Sequence, residues 1–478
     1  MSGVDMPWRM LASVAAAVAT LATAAPRAEA RRVDPDDSDA QDRLEHDRDE
    51  RTTIRDMVRG WTWAAMPPVE FNDGGQFVDD DHPRRRLLRL TALAATASGD
   101  AIVGGAVRGP MRLGATSIGV TPNPRGFVAR IDRGGRFRMI RFAEAEPWMV
   151  PSALAVERAG RIVVSYEGGK LAAMTPEGRV SWTRVLLPAR ALAFASNGDI
   201  LAAGCRITKT RLVGQKSTGF YDKIEDGYFA RISRAGDIVW TYRLDRGQQD
   251  LFYRPNGRPV TDCATAIAPA PDGDIYVAGH FVQAARWDLP EEEPGPTYGI
   301  FLARISGGGR LRWSRLVAQG TGRVALAAAP NGDLVVVAGH VATLNTPGIA
   351  AFDADGMPVW SLPITSTPTP PSINLEIENL QIVAHKHGKA DFACVGTYRF
   401  PIEVGDARLA ETEGGVFLAE VNRRGAVTAL RGIPGTSRPK GAGTETSNVS
   451  IGPGPSGLWV GGTMRVQTTG AWIQAVPW

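Results

Sequence analysis

Cysteine is scarce. Three residues in a chain of 478 cannot staple a fold of this size, and no C-x-x-C spacing occurs. Histidine is scarce too, at six, so general bases are few. No G-x-S-x-G elbow, phosphate loop or H-E-x-x-H helix is present. These gaps remove the familiar catalytic signatures. They imply no cofactor and lean the reading away from an enzyme without closing that question. Charge of one sign is also missing. Lys and Arg number 54 against 50 Asp and Glu, a net of +4, and no basic run is interleaved with aromatics, so nucleic acid is not an expected partner.

Long apolar runs are absent except near the N-terminus. There, Arg9 precedes an Ala-, Leu- and Val-rich stretch from Met10 to Ala25, followed by the small-x-small site Ala28-Glu29-Ala30. This reads as a signal peptide over residues 1–30. The competing reading is an uncleaved anchor, but the run is shorter than the ~20 residues a spanning helix needs. The expected location is extracytoplasmic (periplasmic, cell-surface or secreted), with no stable membrane span once the signal is removed. Residues 31–57 follow as a charged, disordered linker. Arg31 to Val58 holds ten acids and six bases and almost no large apolar residue.

Glycine (54) and proline (33) are plentiful, which favours turns over long helices. The chain repeats two alternating motifs. The first is a small-residue strand, a Gly turn and an apolar strand ending in Gly, as in Ala264–His280 (ATAIAPAPDGDIYVAGH) and Val324–His340 (VALAAAPNGDLVVVAGH). Seven copies occur, with turn glycines at Gly99, Gly160, Gly198, Gly273, Gly332, Gly388 and Gly457. The second is another hairpin with Trp on its last strand: Trp182, Trp240, Trp313 and Trp360, with Met139 and Ala429 at the same place in two further copies. Asp-Gly and Asn-Gly between apolar alternations signal hairpins, because those residues accept φ > 0 cheaply.

Each unit is thus four antiparallel strands, a to d. Seven such sheets bury both faces only by stacking around an axis. The expected fold is all-β: a seven-bladed β-propeller of four-stranded blades over residues 58–478. Alanine-rich first strands fit the crowded axis, and the Trp of strand d fits the wide outer gap between blades. The seventh unit runs out after strand c. Arg59-Gly60-Trp61-Thr62-Trp63-Ala64 matches a strand d, so residues 59–66 are expected to pair with 471–478 and close the ring.

The run FLARISGGGRLRWS followed later by a DGDIYVAGH-type hairpin resembles the SBBP family of bacterial β-propeller repeats, most clearly in units three to five. That resemblance implies an exported or surface repeat protein with no shared reaction. FDADGMPVWSLP is similar to the repeat of pyrroloquinoline-quinone-type propellers. Enzymes of that family use a vicinal cysteine pair, which is absent here, so the cofactor role does not carry over.

A propeller of this design gathers its tight a–b and c–d turns on one face. The longer b–c and d–a connections gather on the other, where binding residues are expected. The strand-b ends reach that face. Glu167, His280, His340, Thr397 and Thr463 are therefore the candidate ligand-binding residues, with the alternative that each simply fills a hairpin end. No metal site is assigned, although His280 and His340 match in consecutive units. The acidic loops Asp79-Asp80-Asp81-His82 and Glu291-Glu292-Glu293 have calcium binding and plain solubilising charge as their two readings. Asp353-Ala354-Asp355-Gly356 reads as turn chemistry. Cys205 ends strand b of unit three and Cys263 begins strand a of unit four, so Cys205–Cys263 is a candidate disulfide in an oxidising compartment, and Cys394 reads as a buried free thiol. Two functions follow. The first is binding or scaffolding of an unnamed protein, glycan or envelope component by the long-loop face. The alternative is a polysaccharide-directed hydrolase or lyase at the axial mouth.

Overall fold

The structure is a computed structural model. It describes residues 87–109, 111–119, 123–143, 149–186, 188–210, 222–244, 263–282, 298–319, 324–339, 347–366, 377–410, 414–433, 436, 445–454, 457–465 and 469–477. They form seven blades of four-stranded antiparallel design, and no helix occurs among the described residues. Strands a to d of blade one are Leu87–Ala95, Ala101–Arg108, Arg125–Ile131 and Phe137–Phe142. Blade two has Pro151–Val156, Ile162–Tyr166, Lys170–Met174 and Val180–Val185. Blade three has Ala189–Phe194, Ile200–Thr210, Asp222–Ile232 and Ile238–Arg243. Blade four has Cys263–Pro269, Ile275–Val282, Tyr298–Ile305 and Leu311–Gln319. Blade five has Ala325–Ala328, Leu334–Gly339, Gly348–Asp353 and Pro358–Ser366. Blade six has Ile377–His387, Ala390–Tyr398, Gly415–Val421 and Val427–Gly432, and blade seven contributes Glu445–Gly454, Gly457–Arg465 and Thr469–Pro477 as strands a to c. The expected fourth strand at residues 59–66 lies outside the described residues, as do residues 1–57.

Blades stack because strand b is apolar on both faces. In blade five, Val335 and Val337 join the core shared with Ile300 and Tyr276 of blade four. Their neighbours Leu334, Val336 and Ala338 join the core shared with Ile382, Phe392 and Phe417 of blade six. This is the period-2 alternation of a strand applied twice. The last blade meets the first in the same way. Trp459 and Ile473 pack with Val103, Phe127 and Leu90, the Trp459 indole N–H donates to the Gly99 carbonyl at 3.0 Å, and Leu87 pairs in parallel with Thr469.

The turn face repeats one joint. In blades two to five the strand-d Trp lies across the c–d turn glycine of the next blade, and its N–H donates to the carbonyl two residues before that glycine. Trp182 bonds Arg234 (3.1 Å), Trp240 bonds Gly307 (3.1 Å), Trp313 bonds Ala354 (2.9 Å) and Trp360 bonds Arg423 (2.8 Å). The glycines Gly236, Gly309, Gly356 and Gly425 have φ of 78–92°. A Cβ on any of them would press on the indole at 2.8–3.1 Å. Glycine is needed there for both φ and space. A strand-c arginine tightens two of these joints. Arg231 pairs with Asp199 and also donates to the Gly307 carbonyl (2.7 Å); Arg304 pairs with Asp274 and donates to the Ala354 carbonyl (2.7 Å). Blade two has Ala173 in place of that arginine, and Arg161 from its a–b turn reaches the Arg234 carbonyl instead (3.1 Å).

The turn reading of Asp353 fits its bonds: its carboxylate accepts the backbone N–H groups of Asp355 (2.9 Å) and Met357 (2.8 Å). Asp132 and Asn422 do the same in their blades. One sequence assignment is refined. Six of the seven expected a–b turn glycines have positive φ, but Gly457 stands at the start of a strand, paired with Gly454.

Candidate binding face

On the opposite face the strand-b ends meet the start of strand a in the next blade. Strand a carries a β-bulge or register shift here in blades one to four, six and seven. The bulge brings a strand-a carbonyl close to strand b, so a Cβ on Gly105, Gly204 or Gly279 would collide with the carbonyls of Arg89, Pro188 and Cys263. That steric demand explains the Gly that ends the repeat.

Several joints at this level are closed by side chains. Ser165 accepts the Ala189 N–H (2.9 Å) while Ser152 donates to the Ala189 carbonyl (2.8 Å), linking blades two and three. Thr265 donates to the Val324 carbonyl (3.3 Å), linking four and five. Cys205 and Cys263 are bridged, Cα to Cα 4.9 Å, linking three and four. Thr463 accepts the Leu90 N–H and donates to the Leu90 carbonyl, both at 3.1 Å, linking seven and one. Thr463 is therefore buried in a clasp between blades.

Glu167 is exposed and pairs with Arg89 of blade one at 3.1 Å. Both side chains are 38% exposed, so the pair adds at most about 1 kcal/mol after screening. The Nε of Arg89 is buried with no hydrogen-bond acceptor among the described residues. Thr463 and Glu167 thus grip the same first strand from its two sides. His280 is half-buried, directly across from Cys263 and Ile300. Thr397 is half-buried, opposite Glu378 and Val416. His340 and both acidic loops lie outside the described residues. Among the described residues no group of three or more His, Cys, Asp or Glu side chains could hold a metal. Cys394 is the buried free thiol expected, and burial pushes its pKa up to about 12, which keeps it protonated and unreactive. Arg89, Ser152, Ser165 and Thr265 were missed from sequence. For Arg89, Ser152 and Thr265 the signal was a polar residue at the head of an alanine-rich strand a.

The connections on this face are unequal. Blade two turns from Tyr166 to Lys170 directly, while in blade three strands b and c continue as a paired ribbon from Cys205↔Gly227 out to Thr210↔Asp222. Blade one carries a small hairpin, Met111–Leu113 with Thr116–Ile118. The hairpin of blade six, Ile402–Val404 with Ala407–Leu409, pairs with strand d of blade five at Ile364↔Val404 and covers that edge.

The model of the family described as outer membrane protein assembly factor BamB matches residues 143–386, just over half of the chain. Among solved structures, BamB from Moraxella catarrhalis aligns with 84% of this chain and 99% of its own at 11% identity and a TM-score of 0.38. The Pan2 WD40 domain from Neurospora crassa aligns over 82% and 90% at 10% identity and 0.42. A chain of the mitotic checkpoint complex aligns over 86% and 98% at 11% identity and 0.45. No curated protein matches the chain.

Proposed function

The chain belongs to the family described as outer membrane protein assembly factor BamB, and from that premise we propose that it is an exported scaffolding propeller that binds a protein partner of the cell envelope through its long-loop face. The observation that carries the reading is the ribbon of blade three, which prolongs strands b and c beyond the joint that holds the ring. A rigid scaffold with uneven loops at one end suits recognition. Backbone on such a ribbon can recognise an extended segment, while Glu167, His280 and Thr397 supply polar contacts nearer the axis. The SBBP-like repeat agrees with an exported protein and adds no partner of its own. Export would follow from cleavage after Ala30, leaving residues 31–57 as a spacer.

The test is site-specific photocrosslinking in the native host. A benzophenone side chain at Lys209 or Glu225 on the ribbon should capture one discrete protein. The same side chain at Lys389, on the a–b turn of blade six, should not. Absence of an adduct from either ribbon position, or the same adduct from Lys389, overturns the proposal.

A further inference from the structure

The joint between blades one and two departs from its neighbours. Met139 takes the Trp position, and its sulfur lies near Gly178, where a Cβ would sit 2.7 Å from it. The rest of the Trp frame remains. Gly178 has φ of 80°. Arg141, two residues after Met139, donates to the carbonyls of Gly178 (3.2 Å) and Glu177 (3.3 Å). Arg184 and Arg315 stand two residues after Trp182 and Trp313 and donate to the matching carbonyls of Ala235 and Asp355. Their guanidinium groups lie 5.9 and 5.8 Å from those indole rings. Pro176 sits two residues before Gly178, where Arg234, Gly307, Ala354 and Arg423 sit in the other joints. Its carbonyl receives no N–H among the described residues.

Where the indole would lie, there is a cleft of about 200 Å³ lined by Arg130, Arg138, Met139, Arg141, Pro176 and Glu177. A cavity of ~150 Å³ is enough for a benzene ring, and a flexible Met side chain yields easily to a larger neighbour. Arg130 is neutralised by Asp100 and Arg138 by Asp132. Arg141 is held by carbonyls and has no carboxylate partner among the described residues. Glu177 on the same rim offsets the charge of Arg141, so the rim is close to neutral around an apolar slot bordered by Pro176.

We propose that this cleft is a docking site for a tryptophan side chain of a partner protein. The molecule demonstrates the fit four times with its own Trp residues. Tryptophan is the only aromatic residue combining a large ring with a donor-only N–H. Arg141 would cover the ring by cation–π contact, as Arg184 and Arg315 lie over Trp182 and Trp313. The cleft lies at the outer rim of the turn face, away from the long-loop face, and does not depend on the function proposed above.

The test is calorimetric titration of the full chain with acetyl-Gly-Trp-Gly-amide, using acetyl-Gly-Ala-Gly-amide as control. The Trp peptide should bind saturably with a Kd at or below about 1 mM, and the Ala peptide at least tenfold more weakly. Met139→Trp fills the cleft from within and should abolish binding without lowering Tm. Arg141→Ala removes the guanidinium that would cover the ring; it should weaken binding at least fivefold and guards against misfolding of the first variant. Lys389→Ala, on the a–b turn of blade six, should bind as the parent does. Equal binding of the two peptides, unchanged binding by a folded Met139→Trp or by Arg141→Ala, or no binding at all would overturn the proposal.

Discussion

The two faces of the ring are built on different rules. The turn face repeats one device from blade to blade: an indole N–H on a carbonyl, laid across a glycine of positive φ, often tightened by an arginine. The long-loop face closes its joints with whatever is at hand, a serine pair, a threonine, a disulfide or an ion pair. Beyond those joints its connections range from a tight turn in blade two to a ribbon in blade three. A uniform face is constrained by packing, because every element must fit its neighbour. A varied face is free above the joints, and that freedom is where recognition can be placed.

Four perturbations sharpen this contrast. The largest effect is expected from deleting residues 59–66. If these supply strand d of blade seven, the loss opens the ring and destroys cooperative unfolding, and a truncated chain with the parental Tm would remove that closure. Next is the turn face itself. Trp313→Ala deletes a half-buried ring and its bond to Ala354, and should cost about 3 kcal/mol in chemical denaturation. The long-loop counterpart is Cys205→Ser with Cys263→Ser, which should cost about 2–4 kcal/mol relative to the oxidised parent. Non-reducing peptide mapping that finds all three thiols alkylatable would refute the bridge.

The smallest effect concerns acid. Burial acts to raise the Asp199 pKa, but hydrogen bonds from Asn197 and Arg231 outweigh it and hold the folded value below the ordinary one. A carboxylate lowered on folding adds stability above its unfolded pKa of about 4 and loses it as pH falls through the folded value. Asp199→Asn should therefore flatten the dependence of Tm on pH below about 4 and leave the slope near neutrality unchanged.

Much of the architecture was legible in the sequence, because it is written in repeated, local chemistry. Turn glycines, the apolar period of two and the recurring Trp each mark a strand or its partner. Met139 and Ala429 were visible as departures, but the cleft beside Met139 was not, since it depends on Arg141 and Gly178 meeting across two blades. The site residues were harder for the same reason. A hydroxyl at a strand end reads identically whether it faces solvent or, like Thr463, bonds the next blade. Only the three-dimensional register separates Glu167, which stays exposed, from Thr463, which is consumed.

The most direct measurement removes the blade-three ribbon while sparing its joint. Residues 207–225 are replaced by Asn-Gly, a two-residue turn suited to join Arg206 and Asp226. Cys205 and Gly227 stay in place. The expected result is a Tm within about 2 °C of the parent, under roughly 1 kcal/mol, together with loss of the partner captured through the ribbon when crosslinking is read from neighbouring His280. A collapsed Tm, or a partner retained at full yield, would contradict the division between a load-sharing ring and a recognising face.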